Sequence, residues 1–524
     1  MLPNCIASEW GDFVSSVPPQ SCGRRWLVML LLACALMRVG LVLGGGQHFF
    51  WDERRYDRGL KLYQALRVGD LPVVRAVLAD PAHFAFTPVS VAVVALQHLG
   101  AQATRWADWE RGENILASRP MATGLLAFAS VLNIALAYAI ARRATGDIFT
   151  ARWVALLMAG ANTGFYYARH FFPYDLALGS ALASILVGIG GRRSLRAGLL
   201  AGVTYHLYNG YWYLLAPLIF LHGWDATAGP DGRLRRMARF AVGAGLALAI
   251  PVLIGLAVNG GVFWRNLVNF SNTVNQGDFR EGWSLPWEYL WHSETAFGVV
   301  VVVAVILALV VARRRPAPAD RTAHLWLGAI ALSYGLLVLF SVGLGKFVVC
   351  ARMVKPLVPF FCLVGGWAAA RLFQKPRNAA TFAMIAVGAL AACNLVPHFF
   401  RTFPGEVETR LIREIGNPKR ALSVKGSIYL YMSIPVTRPE LVLVNMQILY
   451  PVREAAALPA GQVILKLEHP LSYAPYQYEQ HTPRERDFLR QHDISMSLIR
   501  CDAPATVPDE PGLTAAADLA SPPH

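Results

Sequence analysis

Residues 24–56 read RRWLVMLLLACALMRVGLVLGGGQHFFWDERRY. A helix needs about 20 apolar residues to cross a bilayer, and Trp26 to Gly44 supplies such a run. Arg24 and Arg25 stand directly before it, and basic residues stay on the cytoplasmic side, so residues 1–25 are read as a cytoplasmic N-terminus. A cleaved signal peptide is the competing reading, because Leu32-Ala33-Cys34 is faintly similar to a lipoprotein box. The apolar stretch continues past Cys34 and no small-x-small site closes it, so the run is taken as an uncleaved anchor. Just beyond it, Phe50-Trp51-Asp52-Glu53-Arg54-Arg55-Tyr56 brings paired carboxylates, paired arginines and aromatic rings to the outer membrane surface.

The rest of the composition agrees with lipid as the solvent. Of 524 residues, 55% are hydrophobic and only 15% charged, and the mean hydropathy is +0.40. A soluble chain carries about a quarter charged residues, so a globular cytosolic enzyme, a disordered chain and an ordinary nucleic-acid binder are excluded. The net charge of +15, from 48 Lys and Arg against 33 Asp and Glu, falls in short clusters between apolar runs. That is the positive-inside pattern rather than a nucleic-acid footprint. The 7 cysteines are scattered, with neither a CxxC nor a metal-ligand spacing, and imply no disulfide framework and no zinc site.

Reading outward from the first run, Gln47 to about Arg119 is polar, with amphipathic pieces at Arg58–Val68 and Pro88–Leu99. It is read as a large first external loop, about 45–119, with interfacial helices. Spans then alternate with basic ends. Pro120–Ile140 ends at Arg142-Arg143, Ala151–Tyr166 returns outward, and Leu176–Gly190 ends at Arg192, Arg193 and Arg196. Leu199–Leu221 is too short for two full spans, so a broken or re-entrant hairpin is expected there, leading into Arg233–Arg239. Phe240–Val258 runs out to a second external loop, about 259–295. Phe297–Val311, Leu325–Leu344, Leu357–Ala370 and Ala380–Val396 complete the pattern, with Arg313–Arg315 and Arg371–Arg377 on the inner side. The expected architecture is mainly α, with about eleven spans.

From Phe399 the pattern changes. Helix-like Glu406–Ile415 and Arg484–Gln491 alternate with strand-like Ala421–Val424, Leu441–Val444, Val463–Leu467 and Ile494–Ile499. This predicts a small α/β domain over 399–501 on the external side, followed by a disordered Pro- and Ala-rich tail over 502–524.

Read alone, the Phe50–Tyr56 segment allows two interpretations. Adjacent carboxylates beside arginines can hold a general base and bind an anion. The same residues can equally start a helix whose dipole favours acids, with Trp51 and Tyr56 as interfacial anchors. Basic residues at other outer span ends can likewise bind a ligand or simply snorkel to headgroups. Asp175, an acid at the head of a span with Arg169 nearby, is either part of a site or a structural ion pair.

Asp52-Glu53-x-Arg55-Tyr56 directly after the first span resembles the Asp-Glu-x-Arg-Tyr motif of the C-type (GT-C) membrane glycosyltransferases, in particular the lipid A aminoarabinose transferases and the bacterial relatives of protein O-mannosyltransferases. Ser118-Arg119-Pro120, Ala168-Arg169-His170 through Asp175, and Gly345-Lys346 through Arg352, Pro356 and Pro359 resemble later segments of that family, in the same order. The resemblance covers roughly residues 20 to 400. The chain departs from the aminoarabinose enzymes in the first loop, with His83-Phe84-Ala85-Phe86-Thr87-Pro88 in place of Lys-Pro-Pro-Leu.

The resemblance implies a GT-C catalytic domain over 26–398 that passes a sugar from a polyprenyl phosphate to an acceptor hydroxyl on the periplasmic face, with inversion. It implies Asp52 as base, with Glu53 and Asp175 as further site acids, and Arg55, Arg169, Lys346, Arg352 and Lys355 around the donor phosphate. Tyr56, His83, Asp278, Trp283 and Trp287 are candidates for acceptor binding; the Asn275–Trp287 loop is dense in tryptophan, which stacks on sugars but also forms interfacial belts. No cofactor is expected. A divalent metal is used by other enzymes of the class, but few acids converge here and none is predicted. The expected partners are the lipid-linked donor, a lipid, glycan or protein acceptor, and membrane lipids, but no nucleic acid. The expected location is a bacterial inner membrane. The main alternative is a transporter or flippase of a lipid-linked saccharide, which calls for an internal repeat that the two halves do not show. A second alternative, an O-antigen ligase or polymerase, would carry its catalytic groups in a late external loop.

Overall fold

The computed structural model describes residues 21–43, 54–79, 86–104, 115–225, 232–275, 283–314, 318–345, 351–373 and 377–400, together with 441–443, 463–465 and 498–500. The protein is a mainly α membrane protein. In chain order its helices are α1 (Ser21–Leu43), α2 (Arg54–Val68), α3 (Leu71–Leu78), α4 (Phe86–Thr104), α5 (Ile115–Thr145), α6 (Ile148–Gly160), α7 (Asn162–Tyr166) and α8 (Tyr174–Gly188). They continue with α9 (Ser194–Leu207), α10 (Leu215–Gly223), α11 (Arg233–Asn275), α12 (Leu285–Arg314), α13 (Pro318–Val338), α14 (Ala351–Val354), α15 (Leu357–Leu372), α16 (Arg377–Leu395) and α17 (Pro397–Phe400).

Among the described residues, 5 helices are long and apolar enough to cross a membrane: Arg25–Leu43, Ala122–Thr145, Arg233–Asn269, Arg321–Gly343 and Asn378–Leu395. Phe86–Leu99, Ile148–Gly160, Tyr174–Gly188, Phe297–Val310 and Leu357–Leu372 are shorter apolar helices. Two helices of the shorter class, α6 and α15, lie inside the protein, whereas Phe297–Val310 of the same class exposes Val302, Val303 and Ile306. α6 is buried from Thr150 to Gly160 and α15 from Leu357 to Ala370, and they pack on each other, with Gly366 meeting Val154 and Gly365 meeting Leu157. At 1.5 Å per residue these helices are shorter than the hydrocarbon layer, and protein rather than lipid surrounds them. The long helices α1, α11 and α16 also carry exposed apolar side chains, among them Leu36, Leu253 and Phe382. Apolar faces of that extent match a hydrocarbon solvent.

Polar punctuation sets the helix ends. Asp147 caps α6, its carboxylate accepting from the Phe149 and Thr150 amides at 3.0 and 2.9 Å. Asp70 accepts from the Val73 amide and starts α3. Ala161, in extended conformation, separates α6 from α7, and a 3-10 turn, Tyr167–Arg169, leads through Pro173 into α8. α9 packs along α11 at close range: a Cβ on Gly198 would stand 2.0 Å from the Phe240 carbonyl oxygen, and one on Gly243 would stand 2.2 Å from that of Leu195. Small residues let these backbones approach.

The broken hairpin expected over 199–221 is α9, the 3-10 turn Asn209–Leu214 and the short α10. The amphipathic pieces expected at Arg58–Val68 and Pro88–Leu99 fall within α2 and α4, whereas the segment expected as the second loop is more helical than its sequence suggests. In the first external loop, α2, α3 and α4 make most of the described chain helical, and α4 contains one of the apolar helices. In the second, expected over 259–295, α11 runs on to Asn275 after a break at Asn259 (φ −162°, ψ 80°) and α12 begins at Leu285. Asn259-Gly260-Gly261 reads as a stop in sequence, yet the segment after it, Val262–Asn275, returns to helix. Beyond residue 400, strands β1 (Leu441–Leu443), β2 (Val463–Leu465) and β3 (Leu498–Arg500) form one sheet, β1 parallel to β2 and β2 antiparallel to β3. The expected helices Glu406–Ile415 and Arg484–Gln491, the run Ala421–Val424, the 502–524 tail and residues 1–20 lie outside the described residues.

Candidate functional site

The basic residues mark one end of the helices. Arg143 Nη2, at the end of α5, donates to the Ile189 carbonyl at 3.3 Å, and Arg236 near the start of α11 donates to the Gly223 carbonyl at 3.1 Å. Arg152 lies over the Trp26 ring, 5.9 Å from its centre. The head of α8 stands at the opposite end, and there a second set of charged groups is buried.

Asp175 occupies the first turn of α8, where a carboxylate faces the positive end of the helix dipole. Lys355 lies in the turn between α14 and α15, and its Nζ is 2.9 Å from Asp175 Oδ1, with side chains only 1% and 10% exposed. Asn133 of α5 donates to the Asp175 carbonyl at 3.0 Å and to its carboxylate at 3.2 Å. The Lys355 ammonium also lies 4.6 Å from the centre of the Tyr167 ring. Aromatic residues fix the turn that carries it: Tyr213 donates to the Met353 carbonyl at 2.5 Å, and Arg352 donates to the Tyr174 hydroxyl at 3.0 Å. Arg169, buried in its 3-10 turn, donates to the His398 carbonyl at 3.3 Å. Burial, with the Arg169 charge adding to it, holds the neighbouring His170 imidazole well below the ordinary histidine range.

A small, partly open pocket is lined by Arg38, Ser130, Asn133, Thr163, Asp175 and Lys355 among others. Arg38 projects from the last third of α1, is 2% exposed, and bonds Ser130 Oγ through Nε and the Cys34 carbonyl through Nη1. Thr163 reaches the pocket because a second buried acid, Glu294, fixes its turn. The Glu294 carboxylate accepts from the Asn162 and Thr163 amides at 2.6 and 2.9 Å and from the Thr163 hydroxyl at 2.5 Å. Tyr289 donates to the same hydroxyl at 2.9 Å, and His398 bonds Asn162. Glu294 precedes Thr295, whose φ of 48° interrupts α12. A positive φ in a β-branched residue is strained, and such strain gathers at functional sites.

Of the residues singled out in the sequence, the fold brings Asp175 and Lys355 into direct contact; Arg352 bonds Tyr174, the neighbour of Asp175 in the chain, and Arg169 bonds the His398 carbonyl. Trp283 and Trp287 do not join this cluster. Both are exposed, and the Trp287 ring packs against Tyr334 and Phe361. Arg55 and Tyr56 lie in the first turn of α2, and Asp52, Glu53, His83, Asp278 and Lys346 lie outside the described residues. Among the described residues no group of three or more metal-ligating side chains stands together. The sequence reading missed Arg38, Asn133 and Glu294. The signal for Arg38 was present, since a charge inside a spanning run is costly and rarely without a partner.

No family model matches the chain, and no curated protein matches it. Among solved structures it is similar to ArnT from Cupriavidus metallidurans in the apo state, at 14% identity and a TM-score of 0.45, over 85% of this chain and 93% of that one. It is similar also to the same protein bound to undecaprenyl phosphate, at 12% identity and a TM-score of 0.46, over 90% of this chain and 97% of that one.

Proposed function

We propose that the protein is a membrane-embedded glycosyltransferase that takes a sugar from a polyprenyl-phosphate donor and passes it to an acceptor hydroxyl on the external, periplasmic face. The observation that carries the reading is the buried pocket of Arg38, Lys355 and Asp175, with Arg352 and Arg169 beside it, at the end away from the basic loops. Formal charges of two cations and one carboxylate leave it net positive, in a low-dielectric setting where a phosphate is held strongly. The Asp52-Glu53-x-Arg55-Tyr56 motif after the first span supplies the second support.

In the proposed reaction the acceptor oxygen attacks the anomeric carbon, and the bond from that carbon to the phosphate oxygen breaks with inversion. Asp52 takes the acceptor proton while Glu53 orients the acceptor. The polyprenyl phosphate leaves with an added negative charge, which Lys355, Arg352, Arg169, Arg55 and Lys346 offset. Neither a cofactor nor a metal is assigned. The sugar and the acceptor class, lipid, glycan or protein, stay open in this proposal.

Broken helices at Ala161, Asn259 and Thr295 favour one other reading, transport of a lipid-linked saccharide. Purified protein in nanodiscs, given polyprenyl-phosphate sugars with and without candidate acceptors, separates the two. Acceptor-dependent release of polyprenyl phosphate is the expected result. Movement of the intact donor between leaflets of a liposome, without release, would support transport instead.

A further inference from the structure

A buried arginine inside a spanning helix has a large desolvation cost, so its surroundings indicate what it is for. Arg38 lies in such a place, 2% exposed in α1, with its guanidinium carbon 5.5 Å from the centre of the Phe165 ring. Nε is held by Ser130 and Nη1 by the Cys34 carbonyl. Both hydrogen-bond partners are neutral and fix the plane of the guanidinium; the nearby carboxylate that acts on its charge, Asp175, is shared with Lys355. The Arg38 side chain lines the pocket shared with Lys355 and Asp175. The carboxylate there is already matched: Asp175 Oδ1 is 2.9 Å from Lys355 Nζ and accepts from Asn133 as well. One positive charge is therefore left over, on a rigidly oriented planar donor.

We infer that Arg38 is a phosphate ligand of this pocket, contributing a charge-assisted hydrogen bond from α1 to the phosphate of a lipid-linked donor. The inference rests on the transferase reading above and adds to it a residue from the first span. Arginine suits the role better than lysine, because its fork matches the oxygens of a phosphate and its charge is weakly hydrated. Ser130 sets the orientation, and Asp175 keeps Lys355 from turning away.

The test measures equilibrium binding of undecaprenyl phosphate, and separately of undecaprenol, to the full-length protein in nanodiscs. The alcohol has the same tail and lacks the phosphate, so the ratio of the two affinities isolates phosphate recognition from lipid partition. Wild type is expected to prefer the phosphate. In Arg38→Gln the preference should fall roughly ten- to a hundredfold, the loss of one charge-assisted hydrogen bond, with undecaprenol binding unchanged. Should Arg38→Gln not fold, Arg38→Lys carries the test: it keeps the charge without the fork and should lose roughly threefold to tenfold of the preference. A folded Arg38→Gln or Arg38→Lys with the full wild-type preference would overturn the assignment of Arg38 alone. A wild type that binds both lipids equally would overturn the phosphate pocket and the transferase reading together.

Discussion

At the scale of single residues, the Asp175–Lys355 pair carries the most weight, because neither charge has water to fall back on. Removing one partner leaves the other buried and uncompensated, which costs about 3–5 kcal/mol. Asp175→Asn should therefore lower thermal stability sharply, whereas Asp175→Asn combined with Lys355→Met should recover most of the loss and remain inactive. Melting curves of these two variants and of Lys355→Met alone, beside wild type, check this, and additive losses would show that the two groups do not interact. His170 gives a pH-dependent expectation. Its folded pKa is depressed by burial and by Arg169, so folding favours the neutral ring. The stability that depends on this neutrality is complete above the unfolded histidine pKa, about 6.5, and is lost as pH falls below that value. His170→Gln should accordingly flatten the decline of melting temperature between about pH 6.5 and 5. The sequence pointed to Asp175, Lys355, Arg352 and Arg169 because charges at span ends stand out. It did not join them, since the Asp175–Lys355 contact spans 180 positions and depends on how α8 and α15 meet.

At the scale of elements, the spacing of apolar runs made the apolar helices legible; about eleven spans were expected, and among the described residues 5 helices are long and apolar enough to cross a membrane. Runs of about 20 apolar residues bounded by arginine have few other readings. What stayed hidden is helix packing and helix breaking. Thr295 takes a positive φ although nothing local asks for it; the Glu294 bonds to the Asn162–Thr163 turn and the Thr295 bond to Asn394, at 2.6 Å, hold it there. The approach of α9 to α11 is similarly invisible in a hydropathy plot, because it depends on Gly198 and Gly243 being small rather than apolar. Gly198→Ala places its Cβ against backbone, which cannot yield as a flexible side chain would. The expected loss is at least about 1–3 kcal/mol, read as a lowered melting temperature. A variant as stable as wild type would mean that the two helices sit farther apart than 2.0 Å to the Phe240 oxygen allows.

At the scale of the whole molecule, the two ends are chemically distinct. Arginines gather where Arg143, Arg152 and Arg236 are found, and the buried pocket of Asp175 and Lys355 lies at the other end. The positive-inside bias predicts that the pocket faces outward. A cysteine introduced at Gly190, in the turn bonded to Asp225, should react with a membrane-impermeant thiol reagent only after vesicles are opened. Labelling from outside intact, right-side-out vesicles would reverse the orientation and place the pocket at the cytoplasmic face. The central claim is chemical, however, and the most direct measurement compares wild type with Asp52→Asn for acceptor-dependent release of polyprenyl phosphate in nanodiscs. Asparagine keeps the shape of aspartate and removes the base. Release by wild type, with a folded Asp52→Asn lowered by roughly a hundredfold or more, is the predicted result. An Asp52→Asn protein as active as wild type would contradict it.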